Sequence, residues 1–179
     1  MRRAGQHAPM ATPTTPASVA ETRRDTPVRH ETDVLVVGGG SAGVAAAVAA
    51  ARAGARVMLV ERTGSLGGLA SGGLILLLLT LDDGRGRQVV GGICQEIVDR
   101  LAARGAAYFP GPSEWGRADE QLVAREQRFG LVWGHGPHVV RYSVAYDCEE
   151  MKFALAELAR EAGVELLLHP WGCDPACIT

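Results

Sequence analysis

The sequence predicts an α/β fold built on a parallel sheet, and three observations carry that prediction. Val34 to Val37 form an unbroken apolar run, Ser41 to Ala53 form an Ala- and Val-rich stretch of helical length, and a second apolar run, Val57 to Val60, ends on the acid Glu61. A run without polar alternation is what a strand shows when a parallel sheet buries both its faces. Strand, helix and strand at this spacing make a βαβ unit. Within the helix Val44, Val48 and Ala51 fall at i, i+4 and i+7, on one face. Its many alanines remove side-chain bulk and let it lie close to the sheet. Gly54 follows where the left-handed position past a helix end favours glycine.

Between the first strand and the helix, Gly38, Gly40 and Gly43 stand at GxGxxG spacing. Each removes a Cβ for a different reason. Gly38 permits the tight turn, Gly40 lets a pyrophosphate reach the backbone, and Gly43 allows close packing of helix on strand. The amides at the helix start, backed by a dipole equivalent to about half a positive charge, point at the phosphates. Glu61 comes 23 positions after Gly38, at the tip of the second strand, where its carboxylate can accept from both ribose hydroxyls. In a chain with 23 glycines the spacing alone says little; its place between strand and helix, with an acid at the proper distance, makes it a dinucleotide fingerprint.

The choice of dinucleotide turns on the next residues. A 2′-phosphate would meet the Glu61 carboxylate, which disfavours NADP, and Arg62 relieves only part of that conflict. FAD and NAD share the fingerprint. A second glycine-rich loop, "ERTGSLGGLASGG", follows the acid directly, and it suits an extended FAD that runs along the protein beyond the first helix.

Composition sets the bounds. The chain has 179 residues, 47% hydrophobic and 21% charged, ordinary for one globular domain. A net charge of -2 does not point to nucleic acid, and the longest apolar run, Leu74 to Leu79, is far short of the ~20 residues of a membrane span. That run reads as a buried strand. Cys94, Cys148, Cys173 and Cys177 are too few and too irregular for a disulfide framework or a paired zinc site, so reduced thiols and a cytoplasmic location are expected. Residues 1–30 carry "ATPTTPAS" and scattered arginines with few large aliphatics, and are expected to form a disordered tail. No apolar stretch of signal-peptide length follows Arg2 and Arg3.

Taken together, "DVLVVGGGSAGVAAAVAAARAGARVMLVERTGSLGGLASGG", "VVGGICQEIVDRL" and "YDCEEMKFALAELAREAGVELLLH" resemble the FAD-dependent oxidoreductases of the glutathione-reductase-like group with two dinucleotide-binding domains. The branch related to the flavoprotein subunit of heterodisulfide reductase is the most similar. The resemblance covers Asp33 to about Trp171 and implies a Rossmann-like, doubly wound FAD-binding domain. It implies that Gly38, Gly40, Ser41, Ala42 and Gly43 contact the pyrophosphate, Glu61 the adenosine ribose and Arg62 the same end. Gly67, Gly68 and Ser71 would lie toward the flavin half, and the chain near Pro170 to Cys173 would pass the adenine. It also raises an iron–sulfur cluster, although Cys173 and Cys177 as CxxxC supply only two ligands, so no metal site is assigned.

Further along, Ile93 to Ala103 has helical periodicity, and Asp147 with Glu150 has capping-box spacing ahead of a helix that Gly163 closes. Val164 to Leu168 reads as a third parallel strand. Residues 105–143 read as a loop-rich insertion, which could begin a substrate-facing segment with His135, His138, Arg141 or Tyr142 near the flavin. Without a partner acid or nucleophile at a recognisable spacing, the favoured reading makes the histidines loop residues, Arg141 a surface charge and Tyr142 a packed strand residue. No catalytic acid or base is named. In the resembled group a later strand with a Gly-Asp pair holds the flavin side, and none occurs here. The expectation is therefore an N-terminal, C-terminally incomplete fragment, whose missing half a complementary chain could supply. Its partner would be a small-molecule substrate or a redox protein. An NAD-dependent dehydrogenase fragment and a non-catalytic nucleotide-binding remnant stay open as alternatives.

Overall fold

The computed structural model describes residues 27–132 and 136–170. The chain divides into two units, residues 1–31 and 32–179, and every secondary-structure element described belongs to the second. Nearly all of the expected tail, His135, and Cys173 with Cys177 lie outside the described residues.

Strand β1 (Val34–Val37), helix α1 (Ser41–Arg52) and strand β2 (Val57–Glu61) form the expected βαβ unit. The strands are parallel, with Val34 opposite Val57 and Val37 opposite Val60. After them come β3 (Leu77–Leu78), α2 (Ile93–Ala103), β4 (Ala107–Tyr108), α3 (Glu120–Gln127), β5 (Val144–Tyr146), α4 (Cys148–Glu161) and β6 (Glu165–Leu168). β6 pairs in parallel with the far side of β2, so that Glu61 stands opposite Leu168. The order β1-β2-β6 corresponds to the 1-2-3 half of a Rossmann-like sheet.

Both crossovers step the same way across this sheet, and right-handed connections then place α1 and α4 on one face. There α1 packs on β1, β2 and α4. Val44, Ala47 and Val48 of α1, Leu59 of β2, and Leu155 and Leu158 of α4 are essentially sealed from solvent. Each of the larger aliphatics contributes about 1.5–3 kcal/mol by leaving water. The expectation that β1 is buried on both faces is corrected: Leu35 is 39% and Val37 77% exposed. With both helices on one side, the β1 part of the other face is left open.

The run Leu74 to Leu79 is a second correction. Only Leu77 and Leu78 form a strand, and Leu74, Ile75, Leu76 and Leu79 are all substantially exposed. Leu74 turns into the left-handed region at φ +56, and β3 joins a small antiparallel sheet in the order β3-β5-β4 instead of the parallel one.

Residues 105–143 also carry more structure than a loop-rich insertion, since they hold β4 and α3. Trp115 stacks on Tyr142 with ring centroids 4.3 Å apart, and the Tyr142 hydroxyl donates to Gln95 Oε1 at 2.7 Å. Tyr142 is packed as expected, just outside β5. Arg141 is no plain surface charge: Nε donates to Asp82 Oδ1 at 3.0 Å, and the Asp82 side chain is fully buried.

Asp147 caps α4 by accepting from the N–H groups of Glu149 and Glu150, but the box is only half made. Glu150 turns to Arg104 at 3.3 Å instead of reaching back.

Candidate functional site

The turn from β1 into α1 is fixed by contacts that leave one gap. Gly38 sits at φ +102 and its N–H donates to the Val60 carbonyl at 2.8 Å, tying the strand end to β2. A Cβ on Gly43 would stand 1.9 Å from the Gly38 carbonyl oxygen, so no side chain fits there. A Cβ on Gly39 would stand 2.6 Å from Leu66 Cδ2. Gly40 differs. Its backbone, at φ -66 and ψ 175, suits any residue, and no described atom lies within 4 Å of where its Cβ would be. The protein itself makes no use of that missing Cβ.

Gly40 is also the N-cap of α1, and no side chain caps the helix. The N–H groups of Ser41, Ala42 and Gly43 have no acceptor within the helix, as the first turn of any α-helix leaves them. Ser41 and Ala42 are exposed beside the open space. The result is a concentration of unengaged donors at the positive end of a helix dipole.

Glu61 ends β2 directly behind this turn and is only 9% exposed. Its Oε2 accepts the Gly39 N–H at 2.7 Å and its Oε1 the Thr63 N–H at 2.8 Å. Thr63 Oγ1 stands 2.9 Å from both Glu61 Oε1 and the Ser65 carbonyl, which share its single hydrogen. Burial alone would raise the Glu61 pKa, but the N–H groups of Thr63 and Gly39, the Thr63 hydroxyl and the Arg62 charge together outweigh it and hold the carboxyl below its ordinary value. A carboxylate has about four acceptor positions. With two fully engaged and a third shared, the expectation that it takes both ribose hydroxyls narrows to one open position on Oε2. Arg62, next along, is exposed.

The second glycine-rich loop folds onto the first. Gly67 donates to the Gly39 carbonyl at 2.7 Å, and a Cβ on Gly68, at φ +56, would stand 3.2 Å from Gly40 Cα. Ser71 is 1% exposed and its hydroxyl donates to the Leu66 carbonyl at 2.6 Å, so its side chain faces the protein interior. The residues singled out from sequence therefore gather in one place, with Ser71 beneath the surface. Sequence reasoning missed Gly39 and Thr63, which orient Glu61. The variable "x" of the motif conceals the first, and only its place two residues after the acid marks the second.

Among the described residues, no group of three His, Cys, Asp or Glu side chains is placed to hold a metal ion. Cys94 and Cys148 carry free thiols, each with its pKa pushed up by burial. No described helix is long and apolar enough to cross a membrane.

Parallel strands, a glycine turn opening onto a helix N-terminus and an acid at the second strand's tip define a Rossmann-like, FAD/NAD(P)-binding class of α/β domain. Within that class the chain belongs to the FAD dependent oxidoreductase family, which it matches over residues 33–176. FAD is the cofactor of this family of enzymes. Among curated proteins the chain is similar to aklavinone 12-hydroxylase DnrF of Streptomyces peucetius subsp. caesius, at 33% identity over 153 residues covering 74% of this chain and 30% of the relative. The chain thus spans about a third of that relative's length. Among solved structures it is similar to THI4 of Thermovibrio ammonificans, with TM-score 0.40, 23% identity, and coverage of 77% of this chain and 38% of that one. It is also similar to the L-amino acid deaminase of Proteus vulgaris, with TM-score 0.44, 17% identity, and coverage of 88% and 50%.

Proposed function

We propose that this chain binds FAD through the β1–α1 turn and forms the nucleotide-holding part of a flavin-dependent oxidoreductase. The observation that carries the reading is the space over Gly40. Gly39 and Gly43 are glycine because protein atoms crowd them, whereas Gly40 faces open space beside unengaged helix amides. A pyrophosphate fits that cradle: it is anionic, needs several N–H donors at once, and would collide with any side chain at position 40.

In this reading Gly38, Gly40, Ser41, Ala42 and Gly43 hold the pyrophosphate. Glu61 accepts an adenosine ribose hydroxyl through Oε2, and Arg62 lies beside the same end. Gly67 and Gly68 continue toward the flavin half, where Ser71 acts by bracing the loop from beneath through Leu66. The bound flavin would supply hydride or electron transfer, while the protein orients and tunes it. The family match supports FAD over NAD. The substrate would be a small molecule or a redox partner, and a complementary chain could complete the flavin side. The relative named as a hydroxylase favours a small organic substrate. Residues resembling the heterodisulfide reductase flavoprotein branch favour a redox protein. Reduced Cys94 and Cys148 accord with a cytoplasmic location.

The test is a visible spectrum of the purified chain with FAD added and excess removed, followed by dithionite. Retained flavin bands that bleach on reduction are expected. A chain that retains no flavin but binds NAD would favour the dehydrogenase reading, and one that retains neither would favour the inactive remnant.

A further inference from the structure

His169 lies beside this turn and has no part in the reading above. It follows β6 and holds the left-handed conformation, φ +56, that non-glycine residues avoid. Its N–H donates to the Glu61 carbonyl at 2.9 Å, which fixes it at the tip of β2. Its ring lies on Gly64: a Cβ added there would stand 2.4 Å from His169 Nε2 and 3.1 Å from Cε1. His169 is itself exposed, so the unfavourable backbone is not offset by burying the imidazole. Strain of this kind persists where the surroundings hold it in place, and it concentrates beside functional sites.

Gly64 follows Thr63, whose N–H and Oγ1 engage Glu61 Oε1. A chain of contacts therefore runs from the His169 ring through Gly64 and Thr63 to Glu61, and on through Oε2 to the Gly39 N–H. We propose that His169 is a positioning residue for nucleotide binding: its ring, seated on Gly64, holds the 62–65 turn so that Thr63 stays on Oε1 and the open position on Oε2 keeps its aim. This rests on Glu61 being the ribose acceptor. Orienting a binding side chain in advance spares the ligand the cost of ordering it. The imidazole fills the space that a side chain on Gly64 would take.

The test uses the full chain, ADP as the probe, and two readouts: the ADP dissociation constant and the melting temperature without nucleotide. His169→Gly removes the ring and also relieves the left-handed backbone. Its melting temperature should hold or rise, while ADP binds about threefold to tenfold more weakly, toward the low end of the couplings found between residues in one network. Gly64→Ala should displace the ring, raising the ADP dissociation constant and lowering the melting temperature. Adding His169→Gly to it should restore the melting temperature by clearing the 2.4 Å contact, with ADP affinity rising no higher than that of His169→Gly alone. Wild-type ADP affinity in His169→Gly, or a loss that only parallels the melting temperature, would overturn the proposal and leave His169 a structural residue. A wild-type chain that binds no ADP would instead overturn the dinucleotide reading, and this inference with it.

Discussion

The β1–α1–β2 unit and the segments that flank the small antiparallel sheet are both rich in glycine and aliphatic residues, yet they are held by different kinds of contact. In the first, contacts that matter lie within one supersecondary unit: Gly43 against Gly38, Gly39 against Glu61, Gly38 against Val60. In the second they reach across the chain. Arg141 meets Asp82 over a separation of 59 positions, and the Tyr142 hydroxyl meets Gln95 over 47. Spacing writes the first kind into the sequence and leaves the second unwritten.

The comparison breaks most sharply at Gly43. Gly43→Ala puts a methyl group where the Gly38 carbonyl oxygen stands, 1.9 Å away, and both partners are backbone. A loss of about 3 kcal/mol or more is expected, read by chemical denaturation, because neither side can yield without opening the turn. A near-neutral result would mean that α1 can lift off β1 at little cost.

Arg141→Ala tests the other region. It leaves the fully buried Asp82 carboxylate with only the Gly84 N–H, at 3.0 Å, among its described side-chain partners. Breaking a fully buried pair costs about 3–5 kcal/mol. Arg141 is 32% exposed, which lowers the expected loss to about 2–3 kcal/mol by the same measure. Nucleotide binding should be untouched, since Arg141 bonds to Asp82 and Thr80, neither of which belongs to the turn.

A smaller effect belongs to Tyr146 in β5. Burial pushes its hydroxyl pKa up to about 12, and the hydroxyl donates to the Ile75 carbonyl. A raised pKa means that the folded state holds the proton longer than the unfolded chain does. Its contribution is complete below about pH 10 and is lost as pH climbs toward about 12. Tyr146→Phe should cost about 1 kcal/mol at neutral pH and flatten the alkaline part of the stability profile, followed by circular dichroism. Least of all, Thr63→Val should cost about 0.5 kcal/mol, because the N–H to Glu61 remains.

These contrasts explain what the sequence could reveal. β1, α1 and β2 were legible because a strand, a turn and a helix declare themselves by local period, and β6 because Gly163 and the apolar run after it do the same. Leu74 to Leu79 misled because composition cannot tell a strand buried in a parallel sheet from a segment that lends two residues to β5 and leaves the rest exposed. The closeness of Gly38, Gly40 and Gly43 to Glu61 was legible by spacing, and that of Gly67 and Gly68 to the same turn only through the family resemblance. The engagement of Glu61 was not, since Gly39 and Thr63 act through backbone N–H groups that any residue type supplies. Arg141 looked like a surface charge because its partner lies far away in the chain.

FAD binding at this turn, as proposed, requires that the space over Gly40 belong to a ligand and not to the fold. Titrating ADP into the wild-type chain and into Gly40→Val, with melting temperatures measured alongside, tests it directly. Valine is a poor N-cap, so a stability cost of about 1 kcal/mol is expected. Nucleotide binding should disappear altogether, out of proportion to that cost. ADP bound equally well by both proteins would contradict the claim.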